Sequence, residues 1–129
     1  MFEWVIENQL ARNSRPGRTG ENKKQVSKDE VDKWIDEVKS KGIKSIICLL
    51  HDDQLRLYKS LPRGLVSYYR RTEFAVGHVP AYDNSDPLTK DQLEEVWQIY
   101  RELPKPVLIH CSAGVVRTGL AVKYIQNQK

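Results

Sequence analysis

The spacing of apolar residues along this chain predicts strands that alternate with helices. Two segments repeat apolar side chains every three or four residues, and each follows a capping box, formed by Ser27 with Glu30 and by Thr89 with Gln92. Between them, Ile43–Leu50 is an almost unbroken apolar run rich in β-branched residues. Such a run is typical of a central strand that is covered on both faces.

Shorter patterns supply the remaining predicted elements. Strands are predicted at Phe2–Ile6, Leu10–Ala11, Phe74–Val79 and Val107–Ile109, short helices within His51–Thr72 on either side of Pro62–Gly64, and a last helix after Arg117. Strands that alternate with helices favour a mostly parallel sheet. We therefore expect an α/β fold with a central sheet of four to five strands flanked by helices, in a single domain covering residues 1–129.

Composition changes this picture little, but charged residues are distributed unevenly along the chain. The 129 residues carry 21 basic and 17 acidic side chains, a formal net charge of +4, and no apolar stretch approaches the length of a membrane span. The predicted loop 12–24 alone has five basic residues and one acidic residue. This loop is predicted either to steer anionic substrates or to be solvated without a role, and Arg15, fixed by Pro16, is the residue to test.

Cysteine usage indicates a reducing compartment. The first residues, Met1–Trp4, show no basic leader and no signal-peptide core, and the chain has two cysteines, Cys48 and Cys111. We therefore expect a cytoplasmic protein without a disulfide framework. Cys48 is interpreted as a small buried apolar residue, with a regulatory disulfide to Cys111 as the alternative. The His-Asp-Asp run at 51–53 has no metal-ligand spacing, and no metal or cofactor is expected.

The strongest chemical signal is the string HCSAGVVRTG at positions 110–119, which follows the predicted strand Val107–Ile109. A strand, a tight loop and a helix N-terminus together surround an anion with backbone N–H groups, and the helix dipole adds positive potential. Arg117 can hold two phosphate oxygens with its planar guanidinium, and Cys111 lies where a nucleophile is needed. The residues expected to bind the substrate's phosphate through their backbone are Ser112, Ala113, Gly114, Val115 and Val116.

The same positive environment favours the reactive form of the cysteine. A free thiol has a pKa of about 8.5, and helix N-termini or nearby cations lower it to roughly 3.5–7.5. One loop would then bind a phosphate dianion and keep Cys111 as a thiolate. We expect His110 to order the loop by hydrogen bonding from beneath, and the Thr118 hydroxyl to reach the sulfur and stabilise it as a leaving group.

This string resembles the His-Cys-x5-Arg-Ser/Thr signature of the cysteine-dependent protein tyrosine and dual-specificity phosphatases. The start of the chain, Phe2–Arg12 followed by Ser14–Pro16, is similar to that of small single-domain members. The resemblance implies a protein tyrosine phosphatase-like fold and metal-independent hydrolysis of phosphotyrosine, with phosphoserine and phosphothreonine as further substrates, through a phosphocysteine intermediate. We expect a monomer that acts on a phosphorylated protein or peptide and binds neither membrane nor nucleic acid.

A phosphatase of this kind also needs a general acid, because an alkoxide or phenoxide leaves poorly without a proton. The family takes this acid from an aspartate on a loop a few tens of residues before the cysteine. Asp83, three residues after Pro80, resembles that acid best, and Asp86 is its rival. Either aspartate could instead cap a helix or form an Asx-turn.

The loop departs from the family pattern at Val116, where members often have glycine or a polar residue. If that position needs a positive φ, the β-branched side chain would strain the loop and weaken catalysis; otherwise it only makes the pocket more apolar. Two other interpretations stay open: a phosphatase of RNA 5′-ends or phosphoinositides, and a catalytically weak phosphate-binding module. The absence of lysine from the loop counts against phosphoinositides, and activity retained without Asp83 would favour RNA ends.

Overall fold

The computed structural model describes residues 1–19, 24–82 and 88–128, in which five strands form one sheet. The strands are β1 (Glu3–Ile6), β2 (Leu10–Asn13), β3 (Ser45–Leu50), β4 (Ala75–Ala81) and β5 (Val107–His110). Their order across the sheet is β1-β2-β5-β3-β4. β1 and β2 are antiparallel, and the other three pairs are parallel. The predicted α/β fold with a mostly parallel sheet is confirmed.

Five α-helices connect or flank these strands in the described part of the chain. They are α1 (Lys28–Ser40), α2 (Asp52–Leu55), α3 (Gly64–Arg71), α4 (Lys90–Glu102) and α5 (Val116–Gln126), with a 3₁₀ turn at Arg56–Tyr58. Both predicted capping boxes are present, at the first turns of α1 and α4. Among the described residues, no helix has the length and apolar character needed to cross a bilayer.

Two strands run further toward their carboxyl ends than the sequence predicts. Arg12 and Asn13, expected in a polar loop, belong to β2 because they pair in register with Ile109 and His110 of β5. The last two residues of β4, expected in the loop that follows, also belong to the strand. Pairing with a neighbouring strand therefore overrides the local preference of these polar or proline-containing segments for a loop.

The sheet is buried on both faces. All six residues of β3 are buried, as predicted for a central strand. Its side chains alternate between two core clusters: Ile46, Cys48 and Leu50 pack with α1 and α3, whereas Ile47 and Leu49 pack with α4 and α5. Burying each large apolar side chain stabilises the fold by roughly 1.5–3 kcal/mol.

The carboxyl ends of the four parallel strands lie at one edge of the sheet. β2 is followed there by residues 14–19, β5 by residues 111–115, β3 by His51 and β4 by Tyr82. Ligands of open α/β folds bind at this edge. The topology therefore brings the segments that carry the predicted site residues next to one another.

Candidate active site

The segment between β5 and α5, residues 111–115, forms a tight loop that we term the cysteine loop. Its shape requires glycine at position 114. Gly114 has a φ of 77°, and a Cβ atom there would lie 2.4 Å from the carbonyl oxygen of Asn13. Residues with a side chain rarely adopt such a φ, and no Cβ atom fits at that distance. Glycine therefore lets the loop turn directly against the end of β2.

Cys111 lies at the base of the cysteine loop, directly after β5, and is only 2% exposed. α5 begins directly after the loop, and its N-cap residue, Val115, makes no side-chain hydrogen bond to the first turn. The first N–H groups of a helix have no partner within the helix, and the dipole adds partial positive charge there. Full burial in β3 raises the pKa of the other cysteine, Cys48, to about 12.

Arg117 lies in the first turn of α5 and is almost fully buried. Its Nη1 donates hydrogen bonds to the carbonyl oxygens of Leu49 at 3.3 Å and Ala81 at 2.8 Å. These carbonyls belong to the carboxyl ends of β3 and β4, so the sheet itself positions the guanidinium. Because the guanidinium is planar and rigid, fixing one nitrogen orients its other donors as well.

Gln54 also holds this arginine, and sequence reasoning missed it. Its side-chain oxygen accepts a 2.8 Å hydrogen bond from Nη1 of Arg117. No motif marks Gln54, which lies in a segment predicted only to be helical. Its position is the one available signal: α2 directly follows the central strand, so its side chains lie at the ligand-binding edge of the sheet.

His110, the last residue of β5, is completely buried beneath the cysteine loop. Its Nδ1 lies 3.0 Å from the carbonyl oxygen of Cys111, and its Nε2 lies 2.9 Å from the hydroxyl of Tyr69. A carbonyl oxygen only accepts, so Nδ1 carries the proton and Nε2 accepts from the tyrosine. Burial lowers the pKa of His110 to about 4, and the positive charges of Arg117 and Arg15 act in the same direction. The imidazole is therefore neutral at pH 7.

The end of β2 and the residues after it hold the opposite side of the cysteine loop. Arg12 donates through Nε and Nη2 to the carbonyl oxygen of Gly114, at 3.1 and 2.8 Å. Arg15 is only 1% exposed, and its backbone N–H donates to the carbonyl of Ser112 at 2.9 Å. The prediction of a solvated loop residue is wrong for Arg15, which is buried, and Arg12 belongs to a strand rather than to the predicted loop.

The structure bears on two expectations for the start of α5: that the Thr118 hydroxyl reaches the sulfur of Cys111, and that Val116 could strain the loop. Thr118 is fully buried, but its hydroxyl forms no hydrogen bond within the described part of the chain, so it does not bond the sulfur of Cys111 here. Val116 is the first residue of the right-handed helix α5, is 58% exposed, and is not one of the residues with a positive φ. The strained alternative for Val116 is therefore wrong.

Tyr82 and His51 form an aromatic pair at the same edge of the sheet. Their rings stack with 3.9 Å between centroids, and each residue directly follows a strand, β4 and β3 respectively. Tyr82 is 55% exposed. The residue before it, Ala81, is the one whose carbonyl binds Arg117. An exposed aromatic ring therefore lies one residue away from a contact of this arginine.

The two candidate general acids, Asp83 and Asp86, lie outside the described residues. Within residues 1–19, 24–82 and 88–128, no group of three or more His, Cys, Asp and Glu side chains is placed to hold a metal ion. Arginine side chains and the N-terminus of α5 place positive charge at this edge of the described structure.

Comparison with known families gives a match over most of the chain. A family model described as "Polymorphic toxin system, DSP-PTPase phosphatase" matches residues 19–126. No curated protein matches the chain. The family match begins after β2, so Arg12 and Arg15 come from a part of the chain that lies outside it.

Solved structures of phosphatases share this fold. The chain is similar to Tk-PTP in a glycine-to-alanine mutant form, with 21% identity and a TM-score of 0.63 over 99% of this chain and 72% of that one. It is similar to the core catalytic domain of the PP-IP phosphatase SIW14 from S. cerevisiae in complex with citrate, with 20% identity and a TM-score of 0.61 over 99% and 68%. It is also similar to a kinase associated phosphatase with serine in place of its catalytic-site cysteine. That match has 22% identity and a TM-score of 0.66, and it covers 93% of this chain and 68% of that one. These likenesses confirm the protein tyrosine phosphatase-like fold.

Proposed function

The chain belongs to the DSP-PTPase phosphatase family of polymorphic toxin systems, and from this membership we propose that it hydrolyses phosphotyrosine in proteins or peptides. Phosphoserine and phosphothreonine are further substrates in this proposal. The observation that carries it is the arrangement around the cysteine loop. The Cys111 thiol lies at the base of the loop, the N-terminus of α5 follows it, and the sheet holds the guanidinium of Arg117 beside it.

The proposed reaction consists of two displacements at Cys111. The thiolate attacks the phosphorus, so that an S–P bond forms and the bond from phosphorus to the substrate's phenolic oxygen breaks. That oxygen takes a proton from Asp83, with Asp86 as the alternative acid. Water then attacks the phosphocysteine and gives a proton to the same carboxylate. Inorganic phosphate and the Cys111 thiolate are released.

Fixed positive charge stabilises both displacements in this mechanism. The backbone N–H groups of residues 112–116 and the dipole of α5 point positive potential at the phosphoryl oxygens. Arg117 binds two of these oxygens through its planar guanidinium. Such preorganised donors stabilise the charge that develops on a transferring phosphoryl group, and we therefore propose that hydrolysis needs no metal ion.

The exposed ring of Tyr82 supports an aryl phosphate as the substrate. Its neighbour Ala81 contacts Arg117, and in this proposal the Tyr82 ring lies beside the ester group of a phosphate held by that arginine. Aromatic rings in contact contribute about 0.5–1.5 kcal/mol beyond their buried area. Replacing Tyr82 with alanine should therefore raise KM for a phosphotyrosine peptide several-fold and leave KM for a phosphoserine peptide unchanged.

The alternatives are weaker than this proposal. The catalytically weak binding module depended on backbone strain at Val116, which lies instead in an ordinary helical turn. A phosphoinositide substrate carries several phosphates, yet the cysteine loop contains no lysine. Likeness to the PP-IP phosphatase SIW14, at 20% identity, concerns the fold.

The decisive experiment is hydrolysis of para-nitrophenyl phosphate and a phosphotyrosine peptide in the presence of a chelator. Wild type should turn over both substrates, and Cys111→Ser should lose at least about a thousandfold in kcat while still binding phosphate, because the nucleophile alone is removed. Arg117→Ala should lose both binding and turnover. Turnover that persists in Cys111→Ser, or that disappears with chelator in wild type, would contradict the mechanism.

The same assay assigns the general acid. Asp83→Asn should lower kcat for the peptide by about 10²–10⁴ and remove the fall in rate at high pH, whereas Asp86→Asn should do neither. Asp36→Asn is a matched control, because it makes the same change at an exposed position of α1. Loss confined to Asp86→Asn would transfer the role to Asp86. Loss in neither variant, with RNA 5′-triphosphate hydrolysed faster than the peptide, would favour an RNA-end phosphatase.

A further inference from the structure

Arg15 is a charged side chain inside the protein, directly behind the cysteine loop. It is 1% exposed, and its Nε donates to the hydroxyl of Ser112 at 3.2 Å. Its Nη1 donates to the hydroxyl of Tyr58 at 3.2 Å, and that hydroxyl donates in turn to the carbonyl of Pro16 at 2.6 Å. The guanidinium is therefore held at both ends, and one end contacts the residue after Cys111.

Within the described residues, the hydrogen-bond partners of this buried cation are neutral. Among the described residues, no carboxylate forms an ion pair with Arg15, whereas Arg12 of β2 has Glu3 of the neighbouring strand β1 at 3.9 Å. An arginine buried among neutral groups is costly, because hydroxyls replace only part of the hydration that the charge loses. Such an arrangement is retained most readily where an anion balances the charge in the working state of the protein.

The ionisable groups near Cys111 show which charges act on its sulfur. Within the described residues they include His110 from β5, Cys48 from β3, Arg117 from α5, and Arg12 and Arg15 from β2 and the residues after it. Tyr69 bonds His110, Tyr58 bonds Arg15, His78 of β4 acts on His110, and the amine of Met1 bonds Asn13 at the end of β2. His110 has a pKa of about 4 and Cys48 a pKa of about 12, so both are neutral at pH 7. Arginines therefore contribute positive charge beside the cysteine loop. Arg12 offsets part of its charge with Glu3, but Arg15 does not.

We propose that Arg15 is an electrostatic positioning residue whose counterion is the anion formed at the cysteine loop. In the free protein that anion is the Cys111 thiolate, and in the complex it is the phosphate dianion of the substrate. Arg15 acts through Ser112, whose hydroxyl accepts the hydrogen bond from its Nε. The inference rests on the proposed function for the identity of the anion, but thiolate formation and phosphate binding can be measured without turnover.

The test is the pH dependence of alkylation by iodoacetamide, with modified Cys111 identified by mass spectrometry. Arg15→Met and Arg15→Gln remove the charge, and both should raise the pH midpoint of alkylation by about one unit, as expected for loss of a nearby opposite charge. Both should also weaken protection by inorganic phosphate about tenfold. Arg15→Lys keeps the charge but has fewer, differently arranged donors, and it should keep the wild-type midpoint. Arg101→Met is the matched control on exposed α4.

A purely structural role gives a different result. In that case the variants would lower the melting temperature in proportion to their lost hydrogen bonds, and the folded neutral variants would keep the wild-type midpoint. If neither neutral variant folds, Arg15→Lys decides, since a midpoint shifted by about one unit despite the retained charge would overturn the proposal. Wild-type turnover with an unmoved midpoint in Arg15→Met would leave the proposed function standing and reject this inference. A raised alkylation midpoint in Arg15→Met, with no turnover by wild type, would support this inference and reject the proposed function.

Discussion

The side-chain oxygen of Gln54 lies 2.8 Å from Nη1 of Arg117 and accepts its hydrogen bond. This contact joins α2, which follows the central strand, to the first turn of α5. The carbonyls of Leu49 and Ala81 bind the same nitrogen, but they belong to the backbone and change little when their own side chains are replaced. Gln54 is therefore a partner through which the position of Arg117 can be adjusted by mutation.

We predict that Gln54→Glu weakens phosphate binding. The new carboxylate would form a charge-assisted hydrogen bond with Arg117 and compete with phosphate oxygens for the guanidinium. The inhibition constant for inorganic phosphate and KM for para-nitrophenyl phosphate should each rise about tenfold, equivalent to about 1.4 kcal/mol. Gln98→Glu makes the same change on the exposed surface of α4 and should alter neither value. Equal values for the two variants would show that Gln54 has no influence on the guanidinium.

Local sequence patterns predict most helices and strands here, because the formation of these elements depends mainly on residues adjacent in sequence. The capping boxes at Ser27 and Thr89 and the apolar run of β3 all appear where the sequence places them. Arg12 and Asn13 look like loop residues because their place in β2 depends on pairing with β5, about a hundred positions away.

The site divides in the same way. The strand, loop and helix around Cys111 are visible in one continuous string, because each of its parts is adjacent in sequence. Gln54 and Tyr69 reach the site through tertiary packing alone and carry no local signal. Arg15 draws attention as a basic residue, but its burial follows from the packing of Tyr58 and Ser112 around it.

Because His110 is buried and neutral, we predict that the free energy of unfolding decreases in mild acid. Burial lowers its pKa from 6.5 to about 4 in the folded protein. Between these values the unfolded chain binds a proton that the folded protein does not, so the free energy of unfolding falls as the pH is lowered from 6.5 toward 4. The loss by pH 4 should be on the order of 3 kcal/mol from this residue.

Urea unfolding at pH 7 and pH 4.5 checks this prediction. His110→Asn should be less stable than wild type at pH 7, because the bonds to Tyr69 and to the Cys111 carbonyl are altered. Its further loss on acidification should nevertheless be smaller than that of wild type. An equal acid loss in both proteins would mean that other groups, and not His110, govern the transition.

Gly42 and Gly114 both have a positive φ, but only Gly114 lies where a Cβ atom would clash. Replacing each with alanine therefore distinguishes the cost of backbone strain from the cost of a steric clash. Gly42 has a φ of 85°, and a Cβ atom added there would have no neighbour within 4 Å, whereas at Gly114 a Cβ atom would meet the Asn13 backbone. Gly42→Ala should therefore cost only the conformational penalty, about 1–2 kcal/mol. Gly114→Ala should cost more and should also displace the cysteine loop, so that phosphate binding weakens at least about tenfold. Thermal unfolding and phosphate inhibition measured on both variants test this. Similar losses of stability, with phosphate binding intact in both, would contradict the close approach of the loop to β2.

Replacing Val116 tests whether this residue limits catalysis. Val116 begins α5 in a right-handed helical conformation and is 58% exposed, so glycine relieves no strain there. Glycine instead increases the freedom of the unfolded chain and weakens the first turn of the helix, at a cost of about 0.5–1 kcal/mol. We therefore expect Val116→Gly to unfold at a lower temperature and to have a kcat for para-nitrophenyl phosphate no higher than that of wild type. Val116→Ala serves as the control, because alanine shortens the side chain without loosening the backbone and should retain both stability and kcat. A several-fold rise in kcat for the glycine variant alone would show that the backbone at this position restrains the reaction.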